Sequence, residues 1–224
     1  MDPTAIIFDL DGTLVDRGAA FRPYAEKFHA AFRGRLGEIE VGALRDRLVE
    51  ADGKGYRPKP ELAVRLLEAL PWRSLPTADE LESFRRAEFP KLVAARDGAA
   101  ELLAWLSERG YRLGVVTNGS VRSQTTKLHV ARLIGYFEAV VISGGIGIKK
   151  PEAGAFHACL GELGVAAERA WYVGDHPIND VVGSRDAGMT PVWLKGDHDW
   201  PDGHARPELI IEHLAELRSH LGPM

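Results

Sequence analysis

Short apolar runs alternate with longer helical patterns along most of the chain, and this alternation restricts the fold more than any other feature of the sequence. The apolar runs predict buried strands at Ile6–Phe8, Arg112–Thr117, Ala139–Ile142, Ala170–Val173 and Val192–Leu194. Helices are predicted at Ala99–Arg109, Val121–Leu133, Glu152–Leu163 and Asn179–Ala187, with a last one near His213–Leu221. Nearly continuous apolar strands joined by helices indicate a parallel sheet that is covered on both faces. We therefore predict an α/β fold with a Rossmann-like parallel sheet and helices on both faces.

The segment that follows the first strand has a different pattern, because it contains no convincing strand. Helices are predicted there at Phe21–Phe32, Val41–Ala51, Pro60–Ala69 and Thr77–Phe89. Thr77 and Glu80 have the spacing of a capping box, so the last of these helices is expected to begin at Thr77. The sequence thus predicts a Rossmann-like core of residues 1–16 and 96–224 and an all-helical insertion of residues 17–95.

The composition argues against several classes of function. The net charge of −4 gives no electrostatic reason to expect nucleic acid or an anionic membrane surface as a partner. The single cysteine, Cys159, cannot form an intramolecular disulfide, and its place on an apolar helix face suggests a core residue rather than a nucleophile. No apolar run approaches the length of a membrane span, and the amino terminus lacks the pattern of a signal peptide. We expect a cytoplasmic protein, and the sequence favours no particular oligomeric state.

Two carboxylates, Asp9 and Asp11, follow the first predicted strand. Side chains two residues apart in an extended chain point the same way, so these two can converge on one site. At about 4 Å and an effective dielectric constant of about 20 they would repel by roughly 4 kcal/mol, a cost that a bound cation would remove. A bare Asp-x-Asp is more often a capped turn at a strand end. The apolar run before the pair and Gly12, Thr13 and Leu14 after it favour a functional site.

Polar residues also follow the next strand and stand in a later loop. Thr117, Asn118 and Gly119 lie between a predicted strand and a predicted helix. A hydroxyl, an amide and free N–H groups at a helix start can cradle an anion, although Ser120 would equally serve as an ordinary helix N-cap. Lys150 precedes a proline, which holds it out of helical conformation and lets its ammonium group project into a site. A lone lysine in a loop is more commonly a solvated charge.

A second pair of carboxylates, Asp175 and Asp180, follows the strand predicted at Ala170–Val173. Acidic groups at a helix start are often only capping partners, which is the alternative interpretation of Asp180. Ligands of open parallel sheets bind outside the carboxyl ends of the strands. The acidic pairs after the two strands are therefore candidates for one shared site that holds a divalent cation.

Taken in order, these stretches resemble the four motifs of the haloacid dehalogenase superfamily. The closest resemblance is to its phosphatase-like hydrolases with a helical (C1-type) cap inserted after the first motif. Phe8–Leu14 matches the first motif at every position, Val116–Gly119 the second, Lys150-Pro151 the third and Gly174–Asp180 the fourth. His176 departs from the family, since many relatives have a small hydroxyl residue there. Dehalogenases of the superfamily have a non-acidic residue at the position of Asp11, so this residue argues against dehalogenation.

The resemblance implies a role for each matching residue. Asp9 would be the nucleophile and also contact the metal, while Asp11 would be the general acid and base and ligate the metal through its carbonyl. Lys150 would neutralise Asp9 and the phosphate. The phosphoryl oxygens would be bound by Thr117, Asn118 and Gly119, and the Mg²⁺ ion would be held by Asp9, Asp11, Asp175 and Asp180.

The activity that the resemblance implies is Mg²⁺-dependent hydrolysis of a small phosphorylated metabolite through an aspartyl-phosphate on Asp9. A phosphomutase of the same family and a non-catalytic binding protein are the alternatives. In this group the cap supplies specificity, and its candidates are Arg22, Tyr24, Lys27, Lys54, Tyr56, Arg57 and Trp72. We interpret Asp197-His198-Asp199, with His204, as a polar loop rather than a second metal site.

Overall fold

Strands and helices alternate in the computed structural model of the protein, which describes residues 3–55, 57–196 and 198–222. The strands of these residues are β1 (Ala5–Phe8), β2 (Val15–Asp16), β3 (Ala94–Ala95), β4 (Arg112–Thr117), β5 (Ala139–Ile142), β6 (Ala170–Gly174), β7 (Thr190–Leu194) and β8 (Leu209–Ile211). The α-helices are α1 (Phe21–Phe32), α2 (Val41–Asp52), α3 (Lys59–Ala69), α4 (Ala78–Glu88), α5 (Ala99–Glu108), α6 (Val121–Val130), α7 (Ser143–Ile146), α8 (Ala153–Leu163), α9 (Gly183–Asp186) and α10 (Leu217–His220).

The described residues form a parallel six-stranded sheet in the order β5-β4-β1-β6-β7-β8. β1 lies at its centre, where Phe8 pairs with Val115 of β4 on one side and with Val173 of β6 on the other. All four residues of β1 are buried, which explains its uninterrupted apolar sequence. The predicted α/β fold is confirmed. The chain order runs outward in both directions from β1, so the topological switch point lies beside it.

The sheet is covered in part by α8, which carries the single cysteine. Phe156 of α8 packs edge-on against Tyr172 of β6, with ring centroids 4.9 Å apart. Cys159 is fully buried in the same core cluster, and burial raises the pKa of its thiol to about 12. A thiol in this environment is held protonated, as expected for a core residue.

Three helical predictions differ from the structure in informative ways. The α6 helix ends at Val130, not Leu133, because Arg132 adopts a left-handed conformation with φ of 58°. Leu133 is nevertheless fully buried, so it continued the apolar pattern beyond the helix. The helix predicted at Asn179–Ala187 is a π-helical turn, Pro177–Val182, followed by the short α9. The last helix is reduced to α10 after a 3₁₀ turn at Leu214–Glu216.

The chain forms two compact units: one contains the chain up to Asp16 and from Ala95 onward, and the other is Arg17–Ala94. The second unit consists of α1 to α4 and its core is aromatic. Phe28 and Phe32 pack with ring centroids 4.6 Å apart, and both contact Trp72 and Phe84. Thr77 caps α4 in the predicted capping box. Among the described residues, no helix combines the length and the apolar composition that crossing a membrane requires.

Candidate functional site

The carboxyl ends of the central strands carry the polar residues of the candidate site. Asp9 directly follows β1, and its N–H still donates to the carbonyl of Val173 at 2.9 Å, so the ladder with β6 fixes its backbone. Thr117 is the last residue of β4. Asp175 directly follows β6. Because these strands are parallel neighbours, their ends bring residues more than a hundred positions apart to one edge of the sheet.

Three carboxylates form a buried group at this edge. Asp9, Asp175 and Asp180 each offer an oxygen, and these atoms all lie within 4.8 Å of one another. The Oδ1 atom of Asp175 is buried and has no hydrogen-bond partner among the described residues. A buried oxygen without a partner is costly unless an unseen group satisfies it. The structure thus brings Asp9 and Asp175 together, as the sequence analysis expected.

Lys150 joins two of these carboxylates. Its Nζ atom lies 2.6 Å from Asp9 Oδ1 and 2.6 Å from Asp180 Oδ1, and it donates to the hydroxyl of Tyr172 at 2.8 Å. The Tyr172 hydroxyl in turn donates to the carbonyl of Val116 at 2.9 Å. We call Asp9, Lys150, Tyr172 and Asp180 the Lys150 cluster. All four are buried, and of the tandem lysines it is Lys150, not the exposed Lys149, that enters the site.

The electrostatics of the cluster follow from its burial. Burial, opposed by Lys150 and reinforced by Asp180, raises the pKa of Asp9 to about 7. Burial and the charges of Asp9 and Asp180 raise the pKa of Asp175 to about 8. Burial alone would lower the pKa of Lys150, but Asp180 and Asp9 together raise it above its usual value. The ammonium group is thus firmly charged, whereas Asp9 and Asp175 retain protons to a higher pH than ordinary aspartates do.

Two glycines allow the carboxylates to approach so closely. A Cβ atom on Gly12, which has φ of 85°, would lie 2.4 Å from Asp175 Oδ2. A Cβ atom on Gly174 would lie 2.5 Å from the Cβ and Cγ atoms of Asp180. Any other residue at either position would push a carboxylate out of the group. The glycines of the first and fourth sequence motifs therefore have a packing reason to be there.

Asp180 reaches the site from a π-helical turn and not from the start of the predicted α-helix. The N–H of His176 donates to Asp180 Oδ2 at 2.9 Å. His176 Nδ1 accepts from the N–H groups of Ile178 and Asn179, both at 3.1 Å. These side-chain bonds replace the hydrogen bonds of a regular first turn and direct Asp180 inward. π-Helical turns of this kind recur at functional sites.

Asp11 has different partners from Asp9. Lys127 Nζ lies 2.5 Å and 2.7 Å from its two carboxylate oxygens, and Gln124 Nε2 donates to Asp11 Oδ2 at 2.9 Å. The same Gln124 nitrogen donates to Thr117 Oγ1 at 2.6 Å. We call Asp11, Thr117, Gln124 and Lys127 the Lys127 cluster. The sequence did not reveal Gln124 and Lys127, because both are buried while Val121 and Val130 of the same helix are exposed.

The residues of the second motif have varied contacts. The Asn118 side chain forms a reciprocal pair with the backbone of Lys150, accepting from its N–H at 2.9 Å and donating to its carbonyl at 3.0 Å. The N–H of Gly119 donates to Ser143 Oγ at 3.0 Å. Ser120 Oγ accepts from the N–H of Ser123 at 3.3 Å, so Ser120 is also the helix N-cap. Asn118 thus links the second motif to the third.

The polar loop after β7 also approaches the site. His198 Nε2 lies 3.8 Å from Asp175 Oδ2, and the rings of His198 and His176 have centroids 4.8 Å apart. Asp197, which the sequence groups with His198, lies outside the described residues. The sequence analysis interpreted this segment as a polar loop and did not predict the contact of His198 with Asp175.

Several of the specificity candidates in the helical unit already have structural partners. Tyr24 is buried against Phe28 and Phe89, and Trp72 donates to the carbonyl of Leu66 at 3.0 Å. Charged candidates form ion pairs: Arg22 with Glu26, Lys27 with Glu88 and Arg57 with Glu61. Tyr56 lies outside the described residues. The aromatic candidates Tyr24 and Trp72 are thus part of the packing of this unit.

Comparisons with known proteins agree on one family. The model of the haloacid dehalogenase-like hydrolases matches residues 6–194. Phosphoserine phosphatase of Thermus thermophilus is 35% identical over 183 residues, which cover 81% of this chain and 64% of that protein, less than two thirds of its length. Glyceraldehyde 3-phosphate phosphatase of Methanopyrus kandleri is 30% identical over 232 residues and covers 95% and 97% of the two chains. A magnesium-bound HAD-hydrolase from Bacillus subtilis is 22% identical, covers both chains fully and has a TM-score of 0.81.

Fold and site together define an α/β protein whose polar residues gather at the carboxyl edge of a Rossmann-like sheet. The chain belongs to the haloacid dehalogenase-like hydrolases. The predicted family is confirmed, and the relatives bear out the prediction of a phosphatase.

Proposed function

We propose that the protein hydrolyses small phosphomonoesters and that Asp9 is its nucleophile. One observation carries this proposal. Asp9 meets Asp175 and Asp180 within 4.8 Å, and a buried lysine lies 2.6 Å from its carboxylate. An anion that attacks a phosphate dianion needs positive charge around it, and this arrangement supplies a lysine and a candidate site for a cation.

The residues fit a divalent cation. The site contains four carboxylates, Asp9, Asp11, Asp175 and Asp180, and two ammonium groups, Lys127 and Lys150, which leaves two negative charges when all are ionised. Asp175 Oδ1, buried and without a partner among the described residues, is an oxygen for such an ion. Oxygen ligands and a phosphate substrate favour Mg²⁺. Mg²⁺, when bound, would offset the repulsion between Asp9 and the phosphate.

In the first step a carboxylate oxygen of Asp9 forms a bond to phosphorus while the ester P–O bond breaks. Asp11 gives a proton to the leaving alkoxide, so the alcohol departs neutral. In the second step water attacks the phosphorus, Asp11 takes a proton from it, and the bond between Asp9 and phosphorus breaks. Two easier displacements replace one difficult hydrolysis. Over both steps one water is consumed, and one alcohol and one phosphate are released.

The substrate we propose is a small alcohol-derived phosphate. The relatives act on phosphoserine and glyceraldehyde 3-phosphate, both of which carry a single phosphate ester on a short polar skeleton. We also propose that the helical unit, Arg17–Ala94, is the cap that selects among such substrates. The Rossmann-like core would then carry out the reaction, and the helical unit would determine which leaving groups are accepted.

The test is a panel of phosphomonoesters, including an aryl phosphate, assayed for phosphate release with Mg²⁺ and with a chelator. We expect release that depends on Mg²⁺ and that Asp9→Asn lowers by at least about 10⁴-fold, the scale on which loss of a nucleophile acts. Asp202→Asn, an exposed aspartate, is the matched control and keeps full activity. Wild-type protein that cleaves nothing would contradict the proposal. Isomerisation of a sugar phosphate without phosphate release would replace it with a phosphomutase.

A further inference from the structure

Lys127 and Gln124 hold the carboxylate of Asp11, beside the group of carboxylates that contains Asp9. Lys127 spans the two oxygens of the Asp11 carboxylate at 2.5 Å and 2.7 Å. Gln124 holds one of those oxygens at 2.9 Å. These donors come from α6, more than 110 positions away from Asp11 in the sequence. Local chain geometry therefore cannot account for the meeting, and the fold has to create it.

Burial makes this arrangement expensive. The Lys127 side chain is 7% exposed, whereas the carboxylate that it meets is 24% exposed. An ammonium group that leaves water loses favourable hydration, and an apolar side chain of similar volume would often stabilise the fold equally well. Stability alone is thus a weak reason for a lysine at this place. A role toward Asp11 supplies a better one.

Without Lys127 and Gln124 the Asp11 side chain could adopt several orientations, whereas a proton donor has to point at the leaving oxygen. A quarter-exposed aspartate can rotate about its side-chain torsions and turn toward solvent. Lys127 fixes the plane of the carboxylate by contacting both oxygens, and Gln124 fixes which oxygen faces Thr117. A carboxyl group that carries a proton still accepts hydrogen bonds. Lys127 and Gln124 can therefore hold Asp11 in place in both of its protonation states.

We propose that Lys127 and Gln124 are positioning residues that aim the Asp11 carboxylate at the leaving oxygen. The inference rests on the proposed function. It also narrows the substrate class: a device that aims the acid matters for an alkyl phosphate, whose alkoxide leaves poorly without a proton. An aryl phosphate with a stable phenolate needs it far less. The enzyme is thus built for alkyl phosphomonoesters.

The experiment compares kcat/KM for 4-nitrophenyl phosphate and for phosphoserine, or for the best alkyl phosphate of the panel, in wild type and in Lys127→Met. General acid catalysis contributes about 10²- to 10⁴-fold. We expect Lys127→Met to lower the alkyl value by about 10²-fold, within that range, and the aryl value much less, so that their ratio shifts at least about 10-fold. Lys127→Arg, which keeps the charge, recovers much of the loss. Lys195→Met, an exposed lysine, is the control and leaves the ratio unchanged.

A double-mutant cycle separates positioning from general damage. Asp11→Asn should shift the ratio of alkyl to aryl kcat/KM in the same direction as Lys127→Met and by more. Adding Lys127→Met to Asp11→Asn should cause little further loss, because the carboxylate that Lys127 positions is then absent. If Lys127→Met fails to fold, Gln124→Leu takes its place under the same criterion.

Equal loss on both substrates, no loss on either, or additive losses in the double variant would overturn the inference and leave the proposed function intact. Wild type that cleaves neither substrate would instead reject the proposed function.

Discussion

The Lys150 cluster and the Lys127 cluster each place a buried lysine against an aspartate of the first motif, and they differ in what surrounds the pair. Lys150 has two carboxylates and a tyrosine hydroxyl within hydrogen-bond distance, and Asp9 is only 8% exposed. Lys127 meets Asp11, which is 24% exposed. Two aspartates separated by one residue thus occupy a dry environment and a partly hydrated one.

The difference fits the two roles proposed for these aspartates. A nucleophile gains from exclusion of water, because electrostatic interactions are stronger in a dry site and its attacking oxygen stays in place. A group that gives and takes protons has to reach the leaving oxygen and the attacking water, so it stands at the border with solvent. Only Leu10, which is fully buried, stands between the two aspartates in the chain.

The largest expected effect comes from removing the lysine of the dry cluster. Lys150→Met leaves Asp9 and Asp180 buried without their cation, and breaking a buried pair in this way costs about 3–5 kcal/mol. Lys127→Met should cost less than about 1 kcal/mol, since water can solvate Asp11 in its place. Urea unfolding of both variants in the presence of a chelator measures the contrast. Equal losses of stability would contradict the difference in hydration between Asp9 and Asp11.

A smaller effect concerns pH and Mg²⁺. The raised pKa values of Asp9 and Asp175, about 7 and about 8, mean that the metal-free native state binds protons that the unfolded chain releases above about pH 4. These two groups therefore lower the free energy of unfolding as pH rises from about 4 to about 8, by an amount on the order of a few kcal/mol. Mg²⁺ displaces the same protons, so its stabilising effect should grow with pH.

Thermal unfolding at pH 6 and pH 8, with Mg²⁺ and with a chelator, checks this expectation. Asp175→Asn, which removes one of the titrating carboxyls, should flatten the pH dependence of the metal-free protein. A stabilisation by Mg²⁺ that is equal at both pH values would count against the cation site.

Within the Lys150 cluster, a smaller loss than that of Lys150→Met is expected at Tyr172. Its hydroxyl accepts from Lys150 and donates to the carbonyl of Val116, so Tyr172→Phe removes two buried hydrogen bonds while keeping the ring against Phe156. The cost should be about 1–3 kcal/mol, with no change in the ratio of aryl to alkyl activity. Tyr136→Phe, at a half-buried tyrosine outside both clusters, is the matched control. A shifted ratio would mean that the two clusters are coupled.

The sequence predicted the Lys150 side of the site better than the Lys127 side. Asp9, Asp175 and Asp180 stand in motifs that follow strand ends, and parallel strands bring their ends together. Lys150 lies in a loop and was singled out by the proline that follows it. Gln124 and Lys127 lie inside a helix whose apolar pattern is misleading, because Val121 and Val130 are 47% and 43% exposed while these polar residues are buried. Their place is decided by a distant partner, which periodicity along the chain does not show.

The fold predictions also succeeded where local sequence patterns decide the structure and failed where they do not. The bounds of β4, β5 and α1 match the sequence prediction because the residues buried in each are the ones that its apolar pattern marks. β8 was missed because it has three residues and a charged neighbourhood. The π-helical turn at Pro177–Val182 was missed because side-chain bonds from Asp180 and His176 override the helical pattern. At the π-helical turn, contacts of side chains decide the structure and local propensity does not.

The most direct test of the central claim is to find the phosphoryl group on the protein. Wild type turning over its best alkyl phosphate with Mg²⁺ is quenched in acid within the first turnover, digested, and analysed by mass spectrometry. The account predicts one phosphoryl group on the peptide that contains Asp9, and none there in Asp9→Asn. Turnover with no phosphorylated peptide at any quench time, or with the phosphoryl group on another residue, would contradict it.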